Sequence, residues 1–148
     1  MSDVEIRPSS PLRVKVDAVP SSTRFLSELI WIYLTQVLGL DPEQPDTVRT
    51  RLAVVEAINN VIDHGYAGRE PGPITVSMER DGEWLVARID DEAPKFDPHE
   101  SYGNLPRPEL LQKNGYGLGI IREVVDEMEH GYVEGTGNRL TLRKKLWT

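Results

Sequence analysis

A chain of 148 residues is the size of one domain with a core of its own, and its 39% hydrophobic and 28% charged content indicates neither disorder nor membrane residence. A net charge of −7 argues against a nucleic-acid binder, which needs a surplus of Lys and Arg. The absence of cysteine removes disulfides, thiol nucleophiles and thiolate zinc sites together.

Residues 1–11 hold Pro8, Ser9, Ser10 and Pro11 and read as a flexible arm, with one domain over 12–148. Met1 to Glu5 lacks the basic and apolar regions of a signal peptide. Leu12 to Val16 alternates apolar and polar, which predicts a half-buried strand. Ser21 or Ser22 is the expected cap of a first helix running to about Val37 and ended by Gly39 and Pro42. The most apolar stretch, Phe25 to Leu40, is interrupted by Ser27, Glu28, Thr35 and Gln36 and is too short to span a bilayer. A cytoplasmic location follows as the expectation.

Asp46 is the expected cap of a second helix, with Val48, Leu52, Val55, Ile58 and Ile62 at helical spacing and Gly65 as its stop. Ile74–Arg80 and Glu83–Ile89 read as a hairpin around Asp81-Gly82, a pair suited to a type I′ turn. Residues 92–116 are proline-bearing and aperiodic, as a functional lid would be. Gly117 or Gly119 opens a third helix through Met128, and residues 130–134 and 139–146 form a closing hairpin. Helices segregated from a mostly antiparallel sheet predict a two-layer α+β sandwich.

Three clusters carry chemistry. Glu56, Asn60 and His64 recur every fourth residue of the second helix and share one polar stripe. Asp91 ends a strand just before Ala93, where a carboxylate can accept a hydrogen bond from an exocyclic amine and a small neighbour lets a flat base approach. Lys113-Asn114-Gly115-Tyr116-Gly117-Leu118-Gly119 precedes and opens a helix, where glycines and the helix dipole favour an anion. Each has a plainer reading taken alone: a capped surface stripe, an acidic turn, a hinge. The glycine run is neither a P-loop nor a dinucleotide-binding fingerprint, since no Gly-Lys-Ser/Thr follows and no βα turn precedes it.

Taken together, the order and spacing resemble the N, G1 and G2 boxes of the GHKL ATPase superfamily, most closely in its anti-sigma-factor serine/threonine kinases. The resemblance rests on Glu56-Ala-x-x-Asn60-x-x-x-His64, on Asp91 to Pro98, on Gly115-x-Gly-Leu-Gly-Ile-Ile with Val125-Asp126-Glu127, and on the terminal Asn138 to Leu146. It implies a Bergerat-type α/β sandwich, with helices on one face of a mixed, mostly antiparallel sheet. It also implies ATP and Mg²⁺ as cofactors. Asn60 would hold Mg²⁺, Glu56 would act as the catalytic base toward an incoming serine hydroxyl, and Asp91, with Ala93 beside it, would take the adenine amino group. Lys113, Asn114, Gly115, Tyr116, Gly117, Leu118 and Gly119 would close over the phosphates.

The implied function is an anti-sigma factor that phosphorylates an anti-sigma-factor antagonist and sequesters a sigma factor in a partner-switching cycle. An ATP-binding sequestration module without kinase activity and a switch kinase acting on a scaffold protein remain alternatives. A histidine-kinase catalytic domain fits less well, because no phosphoacceptor helix pair precedes residue 12. Three positions depart from the family pattern: Ala93 replaces a glycine, Lys95 replaces a neutral residue, and Arg139 stands where some relatives carry an adenine-side threonine. His64 is better suited to packing or capping than to catalysis. The first helix is apolar almost all round, which calls for a covering surface and, with the resemblance, points to a homodimer.

Overall fold

The computed structural model describes residues 10–95 and 116–148, without the side chains of 116–118. Five strands, β1 (Leu12–Asp17), β2 (Pro73–Asp81), β3 (Trp84–Asp91), β4 (Glu127–Val133) and β5 (Gly137–Lys145), form one sheet in the order β1-β2-β3-β5-β4. Three α-helices among the described residues, α1 (Pro20–Ile32), α2 (Pro45–Asn60) and α3 (Tyr116–Val124), accompany it. All four strand pairings are antiparallel, so the expected mixed component is absent among the described strands.

Strand alternation decides which face the helices cover. Val14, Val76, Ile89 and Leu140 occupy neighbouring register positions across four strands. They join Leu26 and Ile30 of α1, Val54 and Ile58 of α2 and Ile121 of α3 in the core. The intervening residues, among them Arg13, Lys15, Thr75, Arg88, Asp90, Arg139 and Thr141, line a groove of about 790 Å³ on the other face. The arrangement is the two-layer sandwich expected from the element order.

Several boundaries differ from expectation for identifiable reasons. Neither Ser21 nor Ser22 caps α1: the cap position is Val19 and Pro20 begins the helix, a position where the missing N–H of proline costs nothing. Ser22 instead donates its hydroxyl to the Asp17 carbonyl at 2.6 Å. Asp46 likewise lies inside the first turn of α2, behind Gln44 and Pro45, where its charge complements the helix dipole without capping. The β2–β3 turn is centred on Gly82-Glu83, because Asp81 pairs with Trp84. Only Gly82 has positive φ, at +61°, the requirement of a type II′ turn rather than I′.

α3 stops at Val124, and Met128 belongs to β4, since the apolar spacing that continued the helical pattern also fits alternation in a strand. Both α1 and α2 end in a π-helical turn, at Tyr33–Val37 and Val61–Gly65. Thr23 Oγ1 donates to Asn59 Oδ1 at 2.8 Å and holds the start of α1 beside the end of α2. No helix among the described residues is long and apolar enough to cross a membrane.

Candidate functional site

The end of α2 and the end of β3 meet. α2 finishes at Asn60, and the backbone then widens into the π-helical turn Val61–Gly65. That widening breaks the four-residue recurrence of the stripe. Glu56 is half-buried and Asn60 buried, whereas His64 is exposed. The stripe therefore reduces to two inward members, with His64 off the site wall. Burial, and secondarily the charge of Asp63, raises the Glu56 carboxyl above its ordinary value. That shift makes it a better proton acceptor.

Asp91 is the last residue of β3 and is 5% exposed. Its Oδ1 accepts from the Ala93 N–H at 2.9 Å and from Asn138 Nδ2 at 2.8 Å. Asn138 is its register partner in β5, and the same amide group donates to the Pro94 carbonyl at 3.0 Å. Two donors on one oxygen fix the carboxylate's orientation, while an ionised carboxylate offers about four acceptor positions, leaving capacity for an incoming amine. Burial pushes the Asp91 carboxyl above its ordinary value. The Asn138 side-chain, Ala93 backbone and Asn138 backbone donors, and then nearby His130, offset that rise in part.

The surrounding backbone is held by Tyr66 and Gly137. The Tyr66 hydroxyl donates to the Pro73 carbonyl at 2.7 Å and accepts from the Glu92 N–H at 2.8 Å. It thus ties the chain just beyond the π-helical turn after α2 to the start of β2 and to the segment beyond Asp91. Gly137 has φ +130°, and a Cβ there would lie 1.8 Å from the Asp91 carbonyl oxygen, so β5 reaches Asp91 only because this residue has no side chain.

Ala93 is buried at 2%, and no described non-glycine residue has positive φ. Alanine therefore occupies the position where the resemblance expects a glycine, and does so without backbone strain. Lys95 is exposed.

Asn60 and Asp91, predicted from separate motifs, line one small void of about 10 Å³ together with Asn138 and His130. Lys113, Asn114 and Gly115 lie outside the described residues. Tyr116, Gly117 and Leu118 form the first turn of α3, which packs against α2. Gly119 follows, exposed and with open space where a Cβ would stand. Asn138, Gly137, Tyr66 and His130 were not singled out from the sequence. The usable signal was a polar residue, Asn138, in phase with Leu140 and Leu142 on the apolar face of its strand. Arg139, the departure from the family pattern to which no base contact was assigned, faces the opposite side and pairs with Asp90 at 2.7 and 3.1 Å. Asn138 holds the position alongside Asp91.

Two measurements check this geometry. Gly137→Ala is expected to lower stability by about 2–4 kcal/mol in urea unfolding, through the clash and the positive φ together. Because burial raises the Asp91 pKa above 3.8, the folded chain keeps this proton at pH values where the unfolded chain has lost it. The group's contribution to stability is therefore full below the ordinary value and is lost as pH rises through the raised one. Wild type should accordingly gain stability relative to Asp91→Asn as the pH of the urea titration is lowered from neutrality, and a pH-independent difference would contradict the assignment.

Residues 15–144 match the family model described as the histidine kinase-like ATPase domain. The chain is 29% identical over 110 residues to the anti-sigma F factor of Clostridium novyi (strain NT), covering 72% of this chain and 76% of that one. It is 27% identical over 138 residues to the anti-sigma F factor of Bacillus thuringiensis (strain Al Hakam), covering 91% and 92%. The histidine kinase domain from the Erythrobacter litoralis EL346 blue-light activated histidine kinase has the same fold, with a TM-score of 0.54 at 17% identity. This chain is covered over 85% of its length and spans 60% of that structure. Motif order, sheet topology and the family match agree: the chain belongs to the histidine kinase-like ATPase domain family.

Proposed function

We propose that this protein is an anti-sigma factor with serine/threonine kinase activity, which uses Mg-ATP to phosphorylate an antagonist protein and holds a sigma factor when that antagonist is phosphorylated. The observation that carries the reading is the convergence of Asn60 and Asp91 on one void, with Glu56 one helical turn before Asn60. The names of the anti-sigma F relatives supply the partner class.

In this reading Asp91 accepts the adenine amine, and the N-terminal turn of α3 (residues 116–119) turns backbone N–H groups toward phosphate. Asn60 supplies one carboxamide oxygen, a hard donor suited to Mg²⁺. Such an ion keeps several waters and relies on phosphate oxygens rather than on a protein cage. The bound ion would offset the negative charge of the phosphates.

Glu56 takes the proton of the substrate hydroxyl as its oxygen bonds to the γ-phosphorus. The bond from that phosphorus to the β–γ bridging oxygen breaks, and ADP leaves. The elevated proton affinity of Glu56 favours this role. Phe25 and Ile32, each 52% exposed, leave apolar surface on α1 for the second copy in a homodimer.

Asn60→Ala is expected to abolish Mg-ATP binding in calorimetry, and unchanged affinity would remove the basis of the reading. Glu56→Ala should still bind ATP yet lose phosphotransfer by about 10²-fold or more; a fully active variant would exclude Glu56 as the base. Affinity capture with and without ATP, followed by mass spectrometry, should recover a sigma factor and a small protein bearing phosphoserine or phosphothreonine.

A further inference from the structure

The nucleotide reading leaves His130 unexplained. It stands on the helix-facing side of β4, opposite Leu140, where Met128 and Tyr132 flank it in the alternation and an aliphatic side chain would be the ordinary occupant. Its Nε2 is buried and has no hydrogen-bond partner among the described residues. Leaving such a nitrogen unmet carries the full desolvation penalty of the group, so its surroundings ought to hold a partner.

They hold a void of about 10 Å³, lined by the polar residues Asn60, Asp91, His130 and Asn138 and otherwise by apolar residues. The four polar groups come from four different elements, α2, β3, β4 and β5. That volume is close to the minimum for one water, and the polar lining meets the further condition of two to four partners. An apolar void of this size would stay dry. This one has the chemistry of a hydration site.

We propose that this void binds a single structural water, and that through it His130 is a positioning residue for the carboxylate of Asp91. The water engages His130 Nε2 with one bond, in the sense set by the imidazole tautomer, and directs another to the Asp91 side. The direct donors from Ala93 and Asn138 both act on Asp91 Oδ1. A water-borne contact from β4 adds a restraint from an element that makes no direct hydrogen bond to Asp91 among those described. His130 thus tunes the hold on the 6-amino group of the base without touching the nucleotide. This role rests on the proposed nucleotide function, whereas the hydration site stands independently of it.

The test has two arms on the full chain. A high-resolution crystal structure of the unliganded protein should show one ordered water within hydrogen-bond distance of His130 Nε2, and no such water in His130→Leu. A dry void in the wild type would overturn the proposal. In calorimetry, His130→Leu should weaken ATP about tenfold, the scale of one lost hydrogen bond. It should leave purine riboside 5′-triphosphate, which lacks the 6-amino group, within about twofold of wild type, and His130→Gln should restore most of the ATP affinity. Equal weakening of both nucleotides would indicate a merely structural histidine, and no weakening of either would remove the coupling to Asp91. Wild-type protein that binds neither nucleotide would defeat the functional reading and the positioning role with it, while the crystallographic arm still decides the water site.

Discussion

A buried carboxylate constrains this structure more than any other single group. Asp91 is 5% exposed, and an ionised group removed from water must be met by donors or give up its charge. The protein meets it across the sheet, from the side chain of the residue directly opposite, and along the chain, from Ala93. The cross-strand donor requires β5 to run hard against β3, which is why Gly137 has no room for a methyl group. The local donor requires the backbone after β3 to curl inward, and Tyr66 secures that segment from just beyond the π-helical turn after α2. One charge thus dictates a glycine in one strand, an amide in the next position and a tyrosine beyond a helix.

The parts of the fold governed by apolar periodicity were legible in the sequence. Strands β1, β2 and β3 and the bodies of α1 and α2 follow from alternation or helical spacing, because burial on one face leaves its mark at every second residue or every third and fourth. Element ends were less legible, since they answer to other physics. Proline at the first helical position displaced the serine and aspartate caps by two or three residues. The turn at Gly82 was set by strand register, which dipeptide preference does not reveal. Met128 satisfied two periodicities at once, and pairing with Leu142 decided between them.

The site divides in the same manner. Glu56, Asn60 and Asp91 are visible because they interrupt apolar patterns at ends of elements. Asn138 was hidden by its neighbour: Arg139 is the more conspicuous residue, yet strand alternation sends it to the far face. His64 was overextended by a spacing rule that assumes an unbroken α-helix, whereas the backbone changes its hydrogen bonding directly after Asn60. Tyr66 acts through its hydroxyl on backbone groups distant in sequence, a contact that no local pattern encodes.

The pairing of Asp90 with Arg139 acquires a meaning from its position beside Asp91 and Asn138. Adjacent residues of a strand face opposite sides, so a slip of β5 against β3 by one residue would carry the guanidinium to the inner face and the carboxamide out of it. A cation would then neutralise Asp91 and occupy its acceptor positions. The ion pair on the outer face favours the one alignment in which this does not occur. An exposed contact whose own stabilisation is small therefore serves as a key to the phase of the sheet, and the inner carboxylate keeps its acceptor positions open because an arginine is retained on the other side.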